Sequence, residues 1–298
     1  TLITDGTYIY TVQGSGTGII HKLNQSFLEV DDLTLAEGVS SYNCGCVSGS
    51  TLFMGCEGGI AVVDISGDMT ELTQITVDDL SDPLNRIYSM ITYGGFVYAV
   101  NREVGGEYVL LKINPSTKVV VDHTPISAYP RNPRSICAYG DYLYLASVGN
   151  DQNNPRIISK VDLTSFTEVD TLDPTNPENQ SIEGLATDGT YLYATIWNYP
   201  NGLISKIDLA SFTETSYTIM CEPSAYAPFM FTPGKMLVIN DQYYLLSSLS
   251  MIDLASMETL SASYTYLVAP DTYPWKYFAD AVVIGDHAYV MCSNQTYD

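Results

Sequence analysis

The chain has 298 residues, and chains of about this length bury roughly three quarters of their unfolded surface, so it is long enough for a substantial core. It carries 34 Asp and Glu against 12 Lys and Arg, a net charge of −22, although only 15% of its residues are charged. Because an acidic surface repels phosphate backbones and anionic lipid, nucleic acid and membrane surfaces are not expected as partners. No apolar run reaches the roughly 18 residues of a membrane span, so no membrane insertion is expected.

A short segment recurs along the chain and predicts a series of β-hairpins. Its first copy reads Thr4-Asp-Gly-Thr-Tyr-Ile-Tyr10. The six further copies end at Phe53, Tyr98, Tyr144, Tyr193, Tyr244 and Tyr289. Each copy combines an apolar run, a two-residue turn such as Asp5-Gly6 or Gly140-Asp141, and a strand in which aromatic residues alternate.

A second recurring element follows the hairpins. It is clearest in Ser159-Lys-Val-Asp-Leu-Thr-Ser-Phe-Thr-Glu168 and in the matching segment that runs from Ser205 to Glu214. The element predicts a third strand that ends at Asp or Asn, a turn begun by that side chain, and a fourth strand.

Four strands in every unit of about 45 residues predict a β-propeller. We therefore expect an all-β chain that forms a single seven-bladed propeller. The predicted blades cover approximately residues 1–41, 42–85, 86–131, 132–181, 182–232, 233–277 and 278–298.

The last predicted blade is incomplete within this chain. There are seven hairpins but only six third-and-fourth-strand elements, and the sequence stops at Asp298, just after the seventh hairpin. The sequence also begins at Thr1, without Met or a signal peptide. We expect the gene product to continue beyond Asp298, and a truncated last blade is the alternative.

The units resemble YVTN-type and surface-layer-type propeller repeats, in which a Tyr-Val strand is followed by an Ile-Asp strand. Tyr193-Ala-Thr195 together with Lys206-Ile-Asp208 shows the resemblance best, and it extends over essentially the whole chain. It implies the propeller fold. For function it implies only a range, since such propellers include binding proteins, cell-surface scaffolds and some enzymes.

In a propeller of this kind, long Pro-rich and aromatic connections lie on one face, so we expect any site there. Counting back from the hairpin turns aligns Tyr88, Arg134, Glu183, Gly234 and Ala279 at the entries to the first strands. The count places several charged residues near the mouth of the central channel. They are Arg86, Arg134, Glu183, Lys235 and Asp280. These residues indicate either a site for a small polar or anionic ligand or ion pairs between neighbouring blades, and the second interpretation is favoured because structural ion pairs imitate sites.

Aromatic residues of the long connections are candidates for a binding surface, because Tyr and Trp bury much area at low entropic cost. They are Tyr129, Trp197, Tyr199, Tyr226, Phe229, Tyr273 and Trp275. The alternative is that they pack the connections against the blades.

The remaining candidates concern metals, cysteines and glycans. Cys44, Cys46 and Cys56 lack the fourth ligand that zinc usually takes, so we expect buried thiols, and a disulfide between Cys44 and Cys56 is the alternative. The acidic loop at residues 78–82 offers oxygen ligands for calcium without EF-hand spacing, and a solvated loop is favoured. No other cofactor or metal site is expected. Sequons that predict glycosylation of a secreted chain begin at Asn24, Asn179 and Asn294.

The sequence contains no recognisable catalytic constellation. His21 and His287 occupy repeat positions, and no nucleophile elbow or phosphate-binding loop is present. We therefore expect a non-catalytic extracellular or cell-surface module with a binding, adhesive or structural role in a larger assembly. Its partner would be a protein or a glycan on the long-loop face, or further copies of itself. The alternatives are a channel-mouth enzyme of lactonase or lyase type, which would use Glu183 and Asp280, and a small-ligand sensor domain.

Overall fold

The computed structural model shows an all-β chain over the residues that it describes. The described ranges are 2–13, 18–35, 44–56, 59–76, 86–102, 108–126, 133–147, 157–174, 181–197, 202–219, 225–232, 235–240, 248–260, 277–284 and 287–293. Within them, the strands form six four-stranded sheets and one two-stranded sheet. The same ranges contain no helix that is long and apolar enough to cross a membrane.

In every sheet, strands that follow one another in the chain are antiparallel neighbours. The first sheet comprises β1 (Leu2–Thr4), β2 (Ile9–Gln13), β3 (Ile19–Leu23) and β4 (Glu29–Thr34). The second comprises β5 (Cys44–Ser48), β6 (Thr51–Cys56), β7 (Gly59–Asp64) and β8 (Thr70–Thr76). The third comprises β9 (Arg86–Tyr93), β10 (Phe96–Arg102), β11 (Tyr108–Asn114) and β12 (Val119–Ile126). The fourth comprises β13 (Pro133–Tyr139), β14 (Tyr142–Ser147), β15 (Ile158–Asp162) and β16 (Thr167–Leu172).

The remaining sheets follow the same order. The fifth comprises β17 (Ser181–Thr187), β18 (Tyr191–Trp197), β19 (Leu203–Asp208) and β20 (Thr213–Ile219). The sixth comprises β21 (Ala225–Thr232), β22 (Lys235–Asn240), β23 (Ser248–Asp253) and β24 (Glu258–Leu260). The two-stranded sheet comprises β25 (Tyr277–Ile284) and β26 (His287–Ser293).

The sheets belong to two compact units. Sheets one to four form the first unit, in which the first strands β1, β5, β9 and β13 contact one another in that order. Sheets five to seven form the second unit, in which β17 contacts β21 and β21 contacts β25.

The predicted hairpins differ in the length of their turns. In the third sheet, Tyr93 pairs with Phe96 across Gly94 and Gly95, whose φ angles of 56° and 82° lie in the region that a tight primed turn requires. In the first sheet, Thr4 pairs with Ile9, so four residues form the loop. The expected two-residue turn at Asp5-Gly6 is therefore wrong, because the local hydrogen bonds of Asp5 hold the loop open.

The fifth sheet repeats this four-residue loop with the same hydrogen bonds. The Asp188 carboxylate accepts from the backbone N–H groups of Thr190 and Tyr191 at 2.8 and 2.7 Å and from the Tyr193 hydroxyl at 2.8 Å. In the first sheet, Asp5 accepts from the backbone of Thr7 and Tyr8 and from the Tyr10 hydroxyl in the same way. Thus the Thr-Asp-Gly-Thr-Tyr-x-Tyr segment specifies a loop that ties its Asp to the second strand.

These contacts set the ionisation of both partners. Burial disfavours the Asp188 carboxylate, but hydrogen bonds from Tyr191, Thr190 and Tyr193 outweigh it, so the pKa of Asp188 lies below its ordinary value. Burial and the hydrogen bond to Asp188 raise the pKa of Tyr193. The pair therefore favours the charged carboxylate and the neutral phenol.

The turn between the third and fourth strands is begun by Asp or Asn, as the sequence predicts. The carboxylate of Asp162 accepts from the backbone N–H groups of Thr164 and Ser165 at 2.9 and 2.7 Å. In five of the six four-stranded sheets, all except the second, this turn also contains a residue with positive φ. These residues are Phe27, Lys118, Phe166, Phe212 and Met257, with φ between 50° and 60°.

In the fourth sheet, the turn residue with positive φ packs against the preceding sheet. Phe166 is only 4% exposed, and its ring centroid lies 6.1 Å from that of Tyr98 in the third sheet. The Lys112 ammonium of the third sheet lies 4.5 Å from the Phe96 ring centroid and 5.5 Å from that of Phe166. The turn of the fourth sheet is thus held by an aromatic and a cation of the third.

Lysines at the position of Lys112 make related contacts in other sheets. The Lys22 ammonium donates to the carbonyl oxygen of Gly67 in the second sheet at 2.9 Å and lies over the Tyr8 ring. In the second unit, Lys206 of the fifth sheet donates to the carbonyl oxygen of Leu254 in the sixth at 3.1 Å. The lysine of the third strand therefore fastens its sheet to the next one.

The fourth strands, at the sheet edges, carry a bulge and an acidic surface. The extra residue of each bulge is exposed, and these residues are Val30, Leu72, Val121, Val169 and Thr215. No Lys or Arg occurs in the six fourth strands, whereas Asp or Glu occurs in every one. Bulges and charges at an edge oppose pairing with another strand.

The sixth repeat is shifted relative to the sequence prediction. The expected second strand ended at Tyr244, which lies outside the described residues. In the structure β22 is the second strand, and its Met236 pairs with Met230 on one side and Ile252 on the other. The expectation was wrong because the apolar run at residues 236–239 looked like a first strand before a turn at Asn240.

A substitution at the left-handed turn position tests the contact between sheets. We expect Phe166→Ala to lower the free energy of unfolding by about 3–5 kcal/mol, because a buried aromatic is removed from between two sheets. Urea unfolding monitored by circular dichroism measures the change.

The matched control is Phe27→Ala, at the same turn position and a similar φ but 45% exposed. We expect this change to cost less than about 1 kcal/mol. Equal losses for the two variants would show that the turn backbone, and not the inserted side chain, provides the stability.

The Asp188 hydrogen bonds predict a pH dependence of stability. Because the folded-state pKa of Asp188 is lowered, its stabilisation is complete above the unfolded-state pKa of about 4 and is lost as pH falls through the folded-state value. Asp188→Asn should therefore flatten the fall in unfolding free energy between neutral and acid pH. Tyr193→Phe, which keeps the carboxylate and its backbone bonds, should retain most of that fall. A wild-type-like acid profile in Asp188→Asn would contradict the assignment.

Candidate functional site

A β-bulge recurs in the first strand of five sheets, close to the end of the strand opposite its hairpin turn. In each case the pairing with the second strand skips one residue. The skipped residues are Tyr88 in β9, Arg134 in β13, Glu183 in β17, Tyr226 in β21 and Ala279 in β25. Because bulges redirect side chains and are common beside functional sites, this row is the candidate functional site.

The bulge position is the one that counting back from the hairpin turns selects. That count aligned Tyr88, Arg134, Glu183 and Ala279, and all four are bulge residues. For the sixth sheet the count selected residue 234 because the repeat was misaligned, and the bulge residue is Tyr226. The count from the sequence thus coincides with the bulge in four of the five sheets and misses it in the sixth sheet.

Two of the bulge residues have described side chains, and both make contacts within their own unit. The ring of Tyr88 meets that of Tyr108 edge to face, with centroids 5.8 Å apart. The Glu183 carboxylate accepts a hydrogen bond from the hydroxyl of Ser181, which is itself only 7% exposed. These contacts fix the orientation of one aromatic and one acidic group at the bulges.

The other predicted charged residues are placed as follows. Arg86 begins β9 and pairs directly with Arg102, the last residue of β10. Asp280 follows the bulge of β25 and pairs with Met291. Lys235 does not lie at the beginning of a first strand, as expected, but begins the second strand β22, because the sixth repeat is shifted. The side chains of these four charged residues and of Arg134 lie outside the described part.

In the first unit, the structure brings the strands of Arg86 and Arg134 together, since β9 contacts β13. In the second unit, Glu183 and Asp280 lie on β17 and β25, and each of these strands contacts β21. The repeat pattern of the sequence does not single out Arg102. Only the register at the end of the third hairpin, including its bulge, places Arg102 opposite Arg86.

The predicted aromatic surface is only partly covered by the structure. Tyr226 is a bulge residue, Phe229 lies in β21, and Trp197 ends β18, but their side chains are not described. Tyr129, Tyr199, Tyr273 and Trp275 lie outside the described residues. The aromatic binding surface stays a prediction.

The candidate disulfide between Cys44 and Cys56 does not form, and none of the four cysteines whose side chains are described belongs to a disulfide. Cys44 pairs with Gly55, so by alternation Cys56 belongs to the opposite face of the hairpin. Burial raises the pKa of the Cys46 and Cys137 thiols to about 12. Within the described ranges, no three His, Cys, Asp or Glu side chains form a group that could hold a metal ion.

His21 and Asn24 make contacts that belong to the repeat. His21 Nδ1 lies 2.8 Å from a carboxylate oxygen of Glu29, and Ser205 makes the corresponding contact with Glu214. The side-chain oxygen of Asn24 accepts from the backbone of Ser26 and begins a turn, as Asp162 does. Glycosylation of Asn24 stays a prediction, and the sequons at Asn179 and Asn294 lie outside the described residues, as does the acidic loop at residues 78–82.

Comparisons with known protein families and with curated proteins find no match to this sequence. The structure is similar to the WD40 domain of Neurospora crassa Pan2, with a TM-score of 0.62 and 11% identity over 86% of this chain and 74% of that one. WD40 repeats are four-stranded propeller blades. This chain has the β-propeller fold.

Two further structures support the same fold. Kuenenia stuttgartiensis hydrazine synthase matches with a TM-score of 0.59 and 15% identity, over 76% of this chain and 66% of that one. The computationally designed Ika8 protein matches with a TM-score of 0.59 and 10% identity, over 94% and 77%. The predicted all-β propeller fold is thus confirmed, and each four-stranded sheet corresponds to a blade. The count of seven blades stays a prediction. At these identities the likeness concerns the fold alone, and the YVTN-type or surface-layer-type assignment stays a prediction.

The reactivity of the cysteines gives a direct test of the described structure. We expect Cys46 and Cys137 to resist iodoacetamide at pH 8 in the folded protein, because both are buried and their thiols stay protonated. Peptide mapping by mass spectrometry, with the urea-unfolded protein as the reference, measures the labelling. A linked Cys44–Cys56 peptide in a non-reduced digest, or rapid labelling of Cys46, would contradict this structure.

Proposed function

We propose that this propeller is a non-catalytic binding module of a larger extracellular or cell-surface assembly. A protein partner contacts the ends of the first strands that carry the bulges. The recurrence of the bulge at one position, in β9, β13, β17, β21 and β25, is the observation that carries this proposal.

The two ends of a first strand differ in what they offer a partner. At one end lies the turn that leads into the second strand, which in the second, third and fourth blades has only two residues. At the other end lie the bulge and the connection from the previous blade. One such connection, at residues 127–132, includes the candidate Tyr129. Because connecting segments held on a rigid scaffold carry binding residues, the bulge end is the better binding surface.

The described contacts at the bulges support binding rather than catalysis. Tyr88 packs against Tyr108, and Glu183 accepts from a hydroxyl that is largely buried. Such contacts hold side chains in a fixed orientation, which lowers the entropic cost of binding. A nucleophile would instead need a general base within reach and exposure to the substrate.

The extracellular location is inferred from the resemblance of the repeats to surface-layer repeats. The acidic composition agrees with that inference. The edge strands agree with assembly into a crowded surface structure, because their bulges and carboxylates oppose uncontrolled strand pairing. The partner therefore binds at the bulge end, whereas the edge strands do not pair with strands of other molecules.

Site-specific photo-cross-linking tests the proposed face. We expect a benzoyl-phenylalanine at position 88, on the bulge of β9, to give a protein adduct in cells that make the chain. The same residue at position 139, at the hairpin end of β13, should give none, although Tyr139 is exposed. Gel mobility and mass spectrometry of the adducts measure the outcome.

Adducts of equal yield at both positions, or none at position 88, would contradict the proposed face. An adduct that a glycosidase removes would indicate a glycan partner in place of a protein. Protease added to intact cells should destroy the cross-linked protein, and full protection would contradict the surface location.

A further inference from the structure

Two arginines lie directly opposite each other at the bulge end of the third blade. Arg86 begins β9 and pairs in register with Arg102, the last residue of β10. Directly opposed residues in an antiparallel pair have Cβ atoms about 4.5–5.5 Å apart, and like charges there are destabilising. The whole chain has only 12 Lys and Arg, so the pairing concentrates scarce cations at one place.

A third arginine belongs to the same end of the neighbouring blade. The first strand of the fourth blade contributes Arg134 as its bulge residue, and β9 contacts β13.

The strand neighbours of these arginines do not supply a counter-charge. On its other side Arg102 pairs with Tyr108, the first residue of β11. The described carboxylates of the third and fourth blades lie in fourth strands, in turns or just after them. They are Asp122, Asp141, Asp162, Glu168, Asp170 and Asp173. Three lysines of the first unit differ, since Lys22, Lys112 and Lys160 lie over aromatic rings.

We propose that Arg86, Arg102 and Arg134 form an anion-binding site at the bulge end of the third and fourth blades. The site binds a carboxylate or phosphate group, since the guanidinium group matches both as a two-pronged donor. A bound oxyanion also removes the repulsion between the paired arginines. This inference rests on the proposed function and deepens it, because it assigns the chemistry of the group that the partner presents at these blades.

Anion binding to the whole chain tests the site. Inorganic phosphate and succinate are titrated by isothermal calorimetry against a sodium chloride background of equal ionic strength, which removes general screening. We expect saturable binding of one of them, and which one binds distinguishes a phosphate group from a carboxylate. Arg102→Gln and Arg134→Gln should each weaken the binding at least tenfold.

Two variants act as controls. Lys118→Asn removes a cation of the same unit at a left-handed turn position that Asn tolerates, and it should bind like the wild type. Arg102→Lys keeps the charge but loses the two-pronged geometry, so its affinity should fall between those of the wild type and Arg102→Gln. Circular dichroism spectra verify that each variant is folded.

Two results would overturn the inference. One is that neither anion binds above the chloride background. The other is that Arg102→Gln and Arg134→Gln bind as tightly as the wild type, so that the anion is adventitious.

The cross-linker at position 88 separates this inference from the proposed function. If cross-linking persists while neither anion binds, only the anion site is wrong. If phosphate or succinate binds saturably but no adduct forms at position 88, the proposed partner face is wrong and the anion site stands.

Discussion

The contact between a third-to-fourth-strand turn and the blade before it is the interaction on which the described structure depends. A four-stranded blade has two faces, and each must be covered for the sheet to be stable in water. In the third and fourth blades the cover is made by Phe166, which reaches Tyr98 and the Lys112 ammonium. The residue can do so only because Asp162 folds the turn and places Phe166 at a positive φ. The hydrogen bonds that form the turn therefore also determine how the two blades pack.

The placement of charge follows from this contact. The lysines of the third strands are used between blades, as Lys22 and Lys206 show by donating to carbonyl oxygens of the next blade. Most described carboxylates lie in turns and along the fourth strands, where they cap backbone groups or face water, and Glu183 and Asp280 in first strands are exceptions. A chain with few cations therefore combines a strongly acidic composition with buried or half-buried lysines in its third strands.

The sequence predicts the elements whose cause is local and fails where pairing decides the outcome. The Asp162 turn follows from a side chain that bonds its own backbone, so a short sequence suffices to predict it. The loop at Asp5 was misjudged because its length depends on which residues pair, Thr4 with Ile9. The sixth repeat was misaligned because the apolar run of β22 fits a first or a second strand equally well.

The same distinction applies to the candidate site. Counting from the turns located Arg134 and Glu183, because the bulge lies at a nearly constant distance from the hairpin. Counting could not reveal that the position is a bulge, which is a property of two strands together. Arg102 was missed for the same reason, since its place opposite Arg86 results from the register shift at Tyr88.

The contact between a turn residue and the aromatic and lysine side chains of the preceding blade forms a joint between blades. This joint is also relevant to how such a chain arises. The fourth and fifth units, of about 45 residues each, carry both parts of such a joint: an aromatic residue with a lysine (Tyr144 with Lys160, Tyr193 with Lys206) and a buried turn residue at positive φ (Phe166, Phe212). A tandem duplication of one unit therefore supplies a complementary surface for its neighbour without any new interface having to evolve. Tyr98 with Phe166 in the first unit and Tyr193 with Met257 in the second are two divergent copies of one such joint. The number of blades is, in this sense, a variable that gene duplication can change one repeat at a time.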